Sequence, residues 1–282
     1  MTAKAAVRPS IFILSCERNR KMLKDARRIV FKVGTSTLTH PTGKADIKHM
    51  GELVRVLSDL MNSGREIVLV TSGAIGVGTS KLGLGRRPKD IPGRQAAATV
   101  GQCELMFMYD KMFSEYGHIV GQLLITKEDV EDEKRRMNLT MTFDKLFEFG
   151  ALPIINENDS VAVDEIVYGD NDSLSAIVAR LIGADALVIL TDIDGLYDAN
   201  PKTDRSAKLI PVVDEVTDYI VSIAGGSGSE HGTGGMATKV HAARLATEAG
   251  IDTAVINGSP IENIYDLMDG KLVGTLFKAV LS

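Results

Sequence analysis

Apolar residues recur along this chain with two different periods. Runs of five to eight residues, bounded by polar or glycine-rich turns, stand at "IVFKV", "EIVLV", "HIVGQLLI", "ALPIIN", "ALVIL" and "DTAVING". This is the pattern of strands buried on both faces of a parallel sheet. Between them the period lengthens. In "DIKHMGELVRVLSDLMNSG", Ile47, Met50, Leu53, Val54, Leu57, Leu60 and Met61 fall at helical spacing, with Asp46 placed to cap the start and Gly64 to stop it. "AAATVGQCELMFMYDKMFSEYG" and "SLSAIVARLIG" read as helices too. Strands alternating with amphipathic helices predict an α/β fold, a mainly parallel central sheet covered on both sides. Two stretches break the alternation. "SVAVDEIVYGDND" and "DIDGLYDANPKTDRSAKLIPVV" carry turn chemistry between short strand-like runs, and predict β excursions at the functional edge of the sheet. A weak lobe boundary is expected near Asn171 to Leu181, although the composition there is not that of a linker.

Composition narrows the class. The 282 residues are 44% hydrophobic and 24% charged, enough for one large domain or two fused lobes. A net charge of −5 argues against a general nucleic-acid or membrane-surface binder, which needs a positive footprint, and favours small-molecule chemistry. Cys16 and Cys103 lie far apart without metal-site spacing, so neither a disulfide framework nor zinc is indicated and a reducing cytoplasm fits. The segment ahead of Arg28 holds one apolar run, Ile11 to Leu14, far short of the roughly 18 residues of a membrane span. Residues 1–27 are expected to be an N-terminal extension, floppy or packed, followed by one domain over residues 28–282.

In an open α/β sheet, ligands bind beyond the carboxyl ends of the strands, and the loops there are rich in polar groups. Gly34, Thr35 and Ser36 follow the first strand, and Thr71, Ser72 and Gly73 the second. Asn156, Glu157, Asn158 and Asp159 follow "ALPII", and Thr191 and Asp192 follow "ALVIL". Lys32 sits within an apolar strand, where its charge either reaches solvent at a sheet edge or meets a counter-charge or anionic ligand; the following "GTST" favours the second. "TSGAIGVG" is either a tight turn or a nest of backbone N–H groups for an anion. It is not a dinucleotide fingerprint, because Gly73, Gly76 and Gly78 do not make G-x-G-x-x-G.

In "GDND", Asp172 suits a helix N-cap, which leaves Asp170 and Asn171 surplus to capping and available to a polar substrate. "TDIDGLYDANP" lacks the twelfth-place glutamate of a calcium loop; a turn beside a nucleotide, with Tyr197 and Pro201 as apolar walls, is the better reading. "GTGGMATKVHAAR" fails the P-loop template, yet it leads a glycine-rich loop into a helix N-terminus, where free N–H groups and Lys239 favour phosphate. Two lysines from opposite ends of the chain suit phosphoryl transfer, which needs positioning and charge neutralisation by Lys32, Lys239 and Mg²⁺ on the phosphates. A carboxylate acceptor is already ionised at neutral pH and needs no general base.

Six motifs in order, "FKVGTSTL", "TSGAIGVG", "PIINENDSV", "GDNDSLSAIVA", "LTDIDGLYDANP" and "GTGGMATKVHAA", closely resemble the glutamate-phosphorylating members of the amino acid kinase family. The resemblance runs from about Arg28 to the end. It implies a three-layer α/β/α sandwich and the transfer of phosphate from ATP to the γ-carboxylate of L-glutamate, the first step of proline synthesis. By motif, Lys32 and Lys239 would hold the transferring group and Asp172 would orient them. Ser72, Gly73, Asn156, Asp159 and Asn171, with Asp170, would hold glutamate in the N-terminal part. Gly34, Thr191, Asp192 and the run Thr233, Gly234, Gly235, Met236, Ala237, Thr238 and Lys239 would bind ATP, mostly in the C-terminal part. Mg²⁺ would ride on the ATP phosphates rather than on protein ligands. Asp159 suits a free α-ammonium group better than a neutral acetylated amide. Feedback by proline, a homo-oligomer (dimer or tetramer) and a cytoplasmic location are expected from the family. Many members continue into a C-terminal PUA domain, whereas this chain stops after "GTLFKAVLS". Alternatives are a kinase acting on acetylglutamate, aspartate or uridylate, or a catalytically silent ligand sensor on the same fold.

Overall fold

A computed structural model describes residues 23–40, 42–161, 171–225 and 235–280. The apolar runs form the strands β1 (Arg28–Val33), β2 (Glu66–Val70), β3 (Ile119–Ile125), β4 (Ala151–Glu157), β5 (Ala186–Thr191) and β7 (Asp252–Asn257), joined by the short strands β6 (Val212–Val213) and β8 (Thr275–Phe277). They make one eight-stranded sheet in the order β3-β4-β2-β1-β5-β7-β8-β6. Strands β3 through β7 run parallel; β8 is antiparallel to β7 and parallel to β6. Strand order reverses at β1, which pairs with β2 on one side and β5 on the other. A crevice between their carboxyl ends is where such sheets take ligands.

Because successive side chains on a strand point to opposite faces, β1 feeds two cores. Ile29, Phe31 and Val33 join the layer built with α2 (Ile47–Asn62), α3 (Ala74–Lys81), α4 (Ile91–Ser114) and α10 (Asn263–Met268). Val30 joins the opposite layer, with α6 (Glu133–Glu148), α7 (Asn171–Leu181), α8 (Asp218–Ala224) and α9 (Met236–Glu248). The expected three-layer sandwich is therefore present. Short helices α1 (Thr35–Leu38) and α5 (Lys127–Glu131) follow β1 and β3.

The helix read over 46–64 matches in detail. Asp46 accepts a hydrogen bond from the His49 N–H, and Gly64 turns the chain out at φ 90. Of the predicted stripe, Ile47 at its first position is exposed and Met61 in its last turn is only partly buried. Residues Asn171 to Leu181 form a helix packed on β1, β2, β4 and β5 rather than a lobe boundary. The expected β excursion before this helix lies mostly outside the described residues; the second reduces to an isolated bridge, Tyr197 to Leu209, and β6. The end of the N-terminal extension is packed: Leu23 and Ala26 are buried in the core, and Asp185 accepts from the Arg27 and Arg28 N–H groups.

Candidate active site

The face that β1 gives to Val30 it also gives to Lys32, and that face looks onto α7. Lys32 is 3% exposed, and its Nζ lies 2.5 Å from Oδ1 of Asp172 in the first turn of α7. From the neighbouring helix α9, Lys239 brings its Nζ to 3.1 Å from the other oxygen, Oδ2. Thr238 Oγ1 donates to the same oxygen at 2.9 Å. Asp172 is fully buried and Lys239 nearly so. Three charges held out of water are costly unless geometry compensates, and removing one partner of such a group typically costs about 3–5 kcal/mol. Asp172 is the second residue of the helix and pairs with both lysines, and Lys32 does not reach solvent. Gly34, directly after β1, leaves room over this pair: a Cβ there would lie 3.6 Å from the Lys32 Nζ.

The preceding residue, Asn171, turns the other way. Its Nδ2 donates to the Thr71 carbonyl (2.6 Å), to Ser72 Oγ (2.8 Å) and to Asn156 Oδ1 (2.8 Å). These residues close β2 and β4, so parallel pairing of Val70 with Ile155 sets their spacing. Asn156 Oδ1 also accepts from the Glu157 N–H, while Asn156 Nδ2 donates to Gln102 Oε1 at 2.8 Å. Thr71 Oγ1 shares a 2.9 Å hydrogen bond with the buried Tyr109 hydroxyl, and burial pushes that phenol above its ordinary range.

In front of these amides opens a cavity of about 190 Å³, lined by Thr35, Ser72, Gly73, Gly76, Arg87, Asn156, Glu157, Asp159 and Asn171. Gly73 at φ 99 starts α3 here, a left-handed conformation that a side chain would strain. The close crossing behind it is fixed by another glycine: a Cβ on Gly101 of α4 would stand 1.8 Å from the Ala74 carbonyl oxygen. Desolvation raises the Asp159 carboxyl above its usual range against the opposing charges of Arg87 and Arg94. Glu157 is raised as well, first by burial and then by Asp159.

The remaining sites anticipated for nucleotide stand on the β5 side. Thr191 is buried at the end of β5, its carbonyl accepting from Gly258 N–H and its hydroxyl lying 3.3 Å from exposed Asp192. Because Val33 pairs with Leu190, Thr191 lies level with Gly34 across the crevice. Gly235 caps α9, and Met236, Ala237, Thr238 and Lys239 form its first turn. In the "DIDG" turn, Asp194 accepts from Asn257 Nδ2 at 2.8 Å, which ties the turn to the end of β7. Asp170, Thr233 and Gly234 lie outside the described residues. Among the described residues no group of three His, Cys, Asp or Glu side chains could hold a metal ion.

Sequence reading passed over Gln102, Tyr109, Arg87 and Arg94. For the first two a signal existed: with Ala98 and Leu105 they share the buried stripe of α4, and a polar residue on such a stripe needs a partner. The arginines lie in an irregular stretch and its continuation into α4, with no periodicity to mark which face they serve.

The model of the amino acid kinase family matches residues 27–257. The chain is 52% identical over 263 residues to a glutamate 5-kinase of Clostridium tetani, covering 93% of this chain and 98% of that one. It is also 52% identical over 258 residues to a glutamate 5-kinase of Moorella thermoacetica, covering 92% of this chain and 68% of that longer protein. Among solved structures, UMP kinase from Bacillus anthracis superposes with a TM-score of 0.62 at 16% identity, over 91% of this chain and 97% of that one. A likeness that distant speaks for the fold alone.

Proposed function

This chain belongs to the amino acid kinase family, and on that premise we propose that it transfers the γ-phosphoryl group of ATP to the γ-carboxylate of L-glutamate, yielding L-glutamyl 5-phosphate and ADP. The observation that carries this reading is the pair of lysines joined through Asp172, beside a cavity whose wall holds two carboxylates, Glu157 and Asp159, and four amide or hydroxyl side chains. A glutamate carboxylate oxygen forms the new bond to phosphorus as the bond to the ADP oxygen breaks, and no proton has to move. The protein contributes position and charge. Lys32 and Lys239 hold the transferring group, and Asp172 keeps both ammonium groups aimed at one point against their mutual repulsion.

Ser72, Gly73, Asn156, Asn171 and Asp159, with Asp170 from the stretch before α7, hold glutamate; Asp159 takes the α-ammonium group. Gly34, Thr191, Asp192 and the stretch from Thr233, Gly234 and Gly235 through Lys239 take ATP, whose Mg²⁺ travels on the phosphates. The N-terminal part of the domain thus serves the acceptor and the C-terminal part the nucleotide. The reaction opens proline synthesis, and the proposal includes proline as feedback inhibitor and a cytoplasmic location. A homo-oligomer is supported by the edge strand β3 and the adjoining helices, where Phe107, Ile119, Met137 and Met141 are exposed. Coupled ADP release with glutamate, N-acetylglutamate, aspartate and UMP tests the substrate. Turnover with glutamate alone is expected; turnover with N-acetylglutamate but not glutamate would overturn the proposal.

A further inference from the structure

Gln102 stands outside the substrate cavity yet touches the wall that forms it, and its geometry is fixed by a chain of forced choices. Asn156 Oδ1 already receives two donors, Asn171 Nδ2 and the Glu157 N–H, so its amide can face only one way. Its Nδ2 must then turn toward Gln102, which has to present oxygen rather than nitrogen; the flipped glutamine would set two NH₂ groups against each other. The cost of this arrangement is visible. Gln102 is 8% exposed, and its Nε2 is buried without a hydrogen-bond partner among the described residues. The orientation of Gln102 is thus set by Asn156 and not by its own best hydrogen bonding.

We infer that Gln102 is a positioning residue for the acceptor substrate, acting through Asn156. An amide NH₂ has two hydrogens. One goes to Gln102 Oε1, which locks the plane of the Asn156 side chain and leaves the second hydrogen for a carboxylate oxygen in the cavity that Asn156 lines. The same lock keeps Asn156 Oδ1 on Asn171, so one glutamine on α4 fixes two side chains at the ends of different elements. Gln102 takes no part in the Lys32, Asp172 and Lys239 group, and its influence falls on acceptor binding rather than on phosphoryl transfer.

This rests on the glutamate kinase reading, and full kinetics on the whole protein separate the two. Gln102→Met keeps the volume and removes the acceptor oxygen; the glutamate KM is expected to rise about tenfold, with kcat and the ATP KM within about twofold of wild type. Gln102→Glu restores an oxygen that can accept from Asn156 and is expected to recover most of the lost affinity. Should Gln102→Met lose its thermal transition, Gln102→Asn takes its place: its shorter amide withdraws the acceptor, and the same selective rise is expected. An unchanged glutamate KM, a parallel loss for both substrates, or a Gln102→Glu variant no better than Gln102→Met overturns the inference while glutamate kinase activity stands. A wild-type protein indifferent to glutamate overturns both.

Discussion

Asn171 and Asp172 are neighbours in the first turn of one helix, and they stand in opposite kinds of surroundings. Asp172 faces two lysines and a threonine hydroxyl, a charged group closed off from water. Asn171 faces a carbonyl, a hydroxyl and an amide, a neutral network that opens onto a cavity. A helix advances about 100° per residue, so Asn171 and Asp172 leave it in different directions; that angle sets the two halves of the proposed reaction side by side. The difference also predicts how each half fails. In the charged half each group compensates another's burial, so loss should strike turnover and stability together. In the amide half single hydrogen bonds are worth less, and loss should strike acceptor affinity.

The largest expected effect comes from Asp172→Asn, which leaves two buried ammonium groups without their carboxylate. A kcat fall of about a thousandfold or more and a loss of about 3–5 kcal/mol in denaturant unfolding are expected, with the glutamate KM little changed; a KM effect in place of a kcat effect would erase the distinction between the halves. Lys239→Ala should lower kcat by about a hundredfold or more in an ADP-release assay and cost less stability than Asp172→Asn, leaving the fold standing, since Asp172 retains Lys32. Asn171→Ala belongs to the other half: a glutamate KM raised about ten- to a hundredfold, with the ATP KM unmoved, would sharpen the comparison.

Asp159 offers a pH-dependent test. Its carboxyl is raised in the folded protein, chiefly by desolvation, so the native state binds a proton that the unfolded chain has released. Stability from this group is full below the ordinary carboxylate pKa and is lost as pH rises through the higher folded value. Asp159→Asn should therefore match wild type in acid and gain a higher Tm above that window, while losing affinity for glutamate. In the wild type the glutamate KM should climb as pH falls through the same range. The smallest effect belongs to Tyr109→Phe, which removes the hydrogen bond to Thr71 Oγ1; about 1 kcal/mol of stability should go, with kinetics near those of wild type.

Much of this was readable in the sequence because it rests on runs and charges. Five- to seven-residue apolar strands and the capped helix after Asp46 carry their own period, and Lys32 in an apolar strand is conspicuous because charge there requires an explanation. The edge strand β6 fell within an expected β excursion, but its neighbour β8 was not readable: three residues hold no period. The helix read from "SLSAIVARLIG" starts earlier than its pattern shows, at Asn171, because the polar residues opening "GDNDSLS" belong to a first turn that its partners bury. Gln102 was missed for a related reason. Its partner Asn156 lies 54 residues away, and an amide paired over that distance leaves no local trace beyond a polar residue on an apolar stripe.

The destination of the phosphoryl group is the claim on which the rest depends. Incubating the wild-type protein with ATP, Mg²⁺, L-glutamate and hydroxylamine, and measuring ADP beside the hydroxamate, tests it directly. The account predicts γ-glutamyl hydroxamate formed in step with ADP, with both falling about a hundredfold or more in Lys239→Ala. ADP released without hydroxamate, or at a rate indifferent to glutamate, would contradict it.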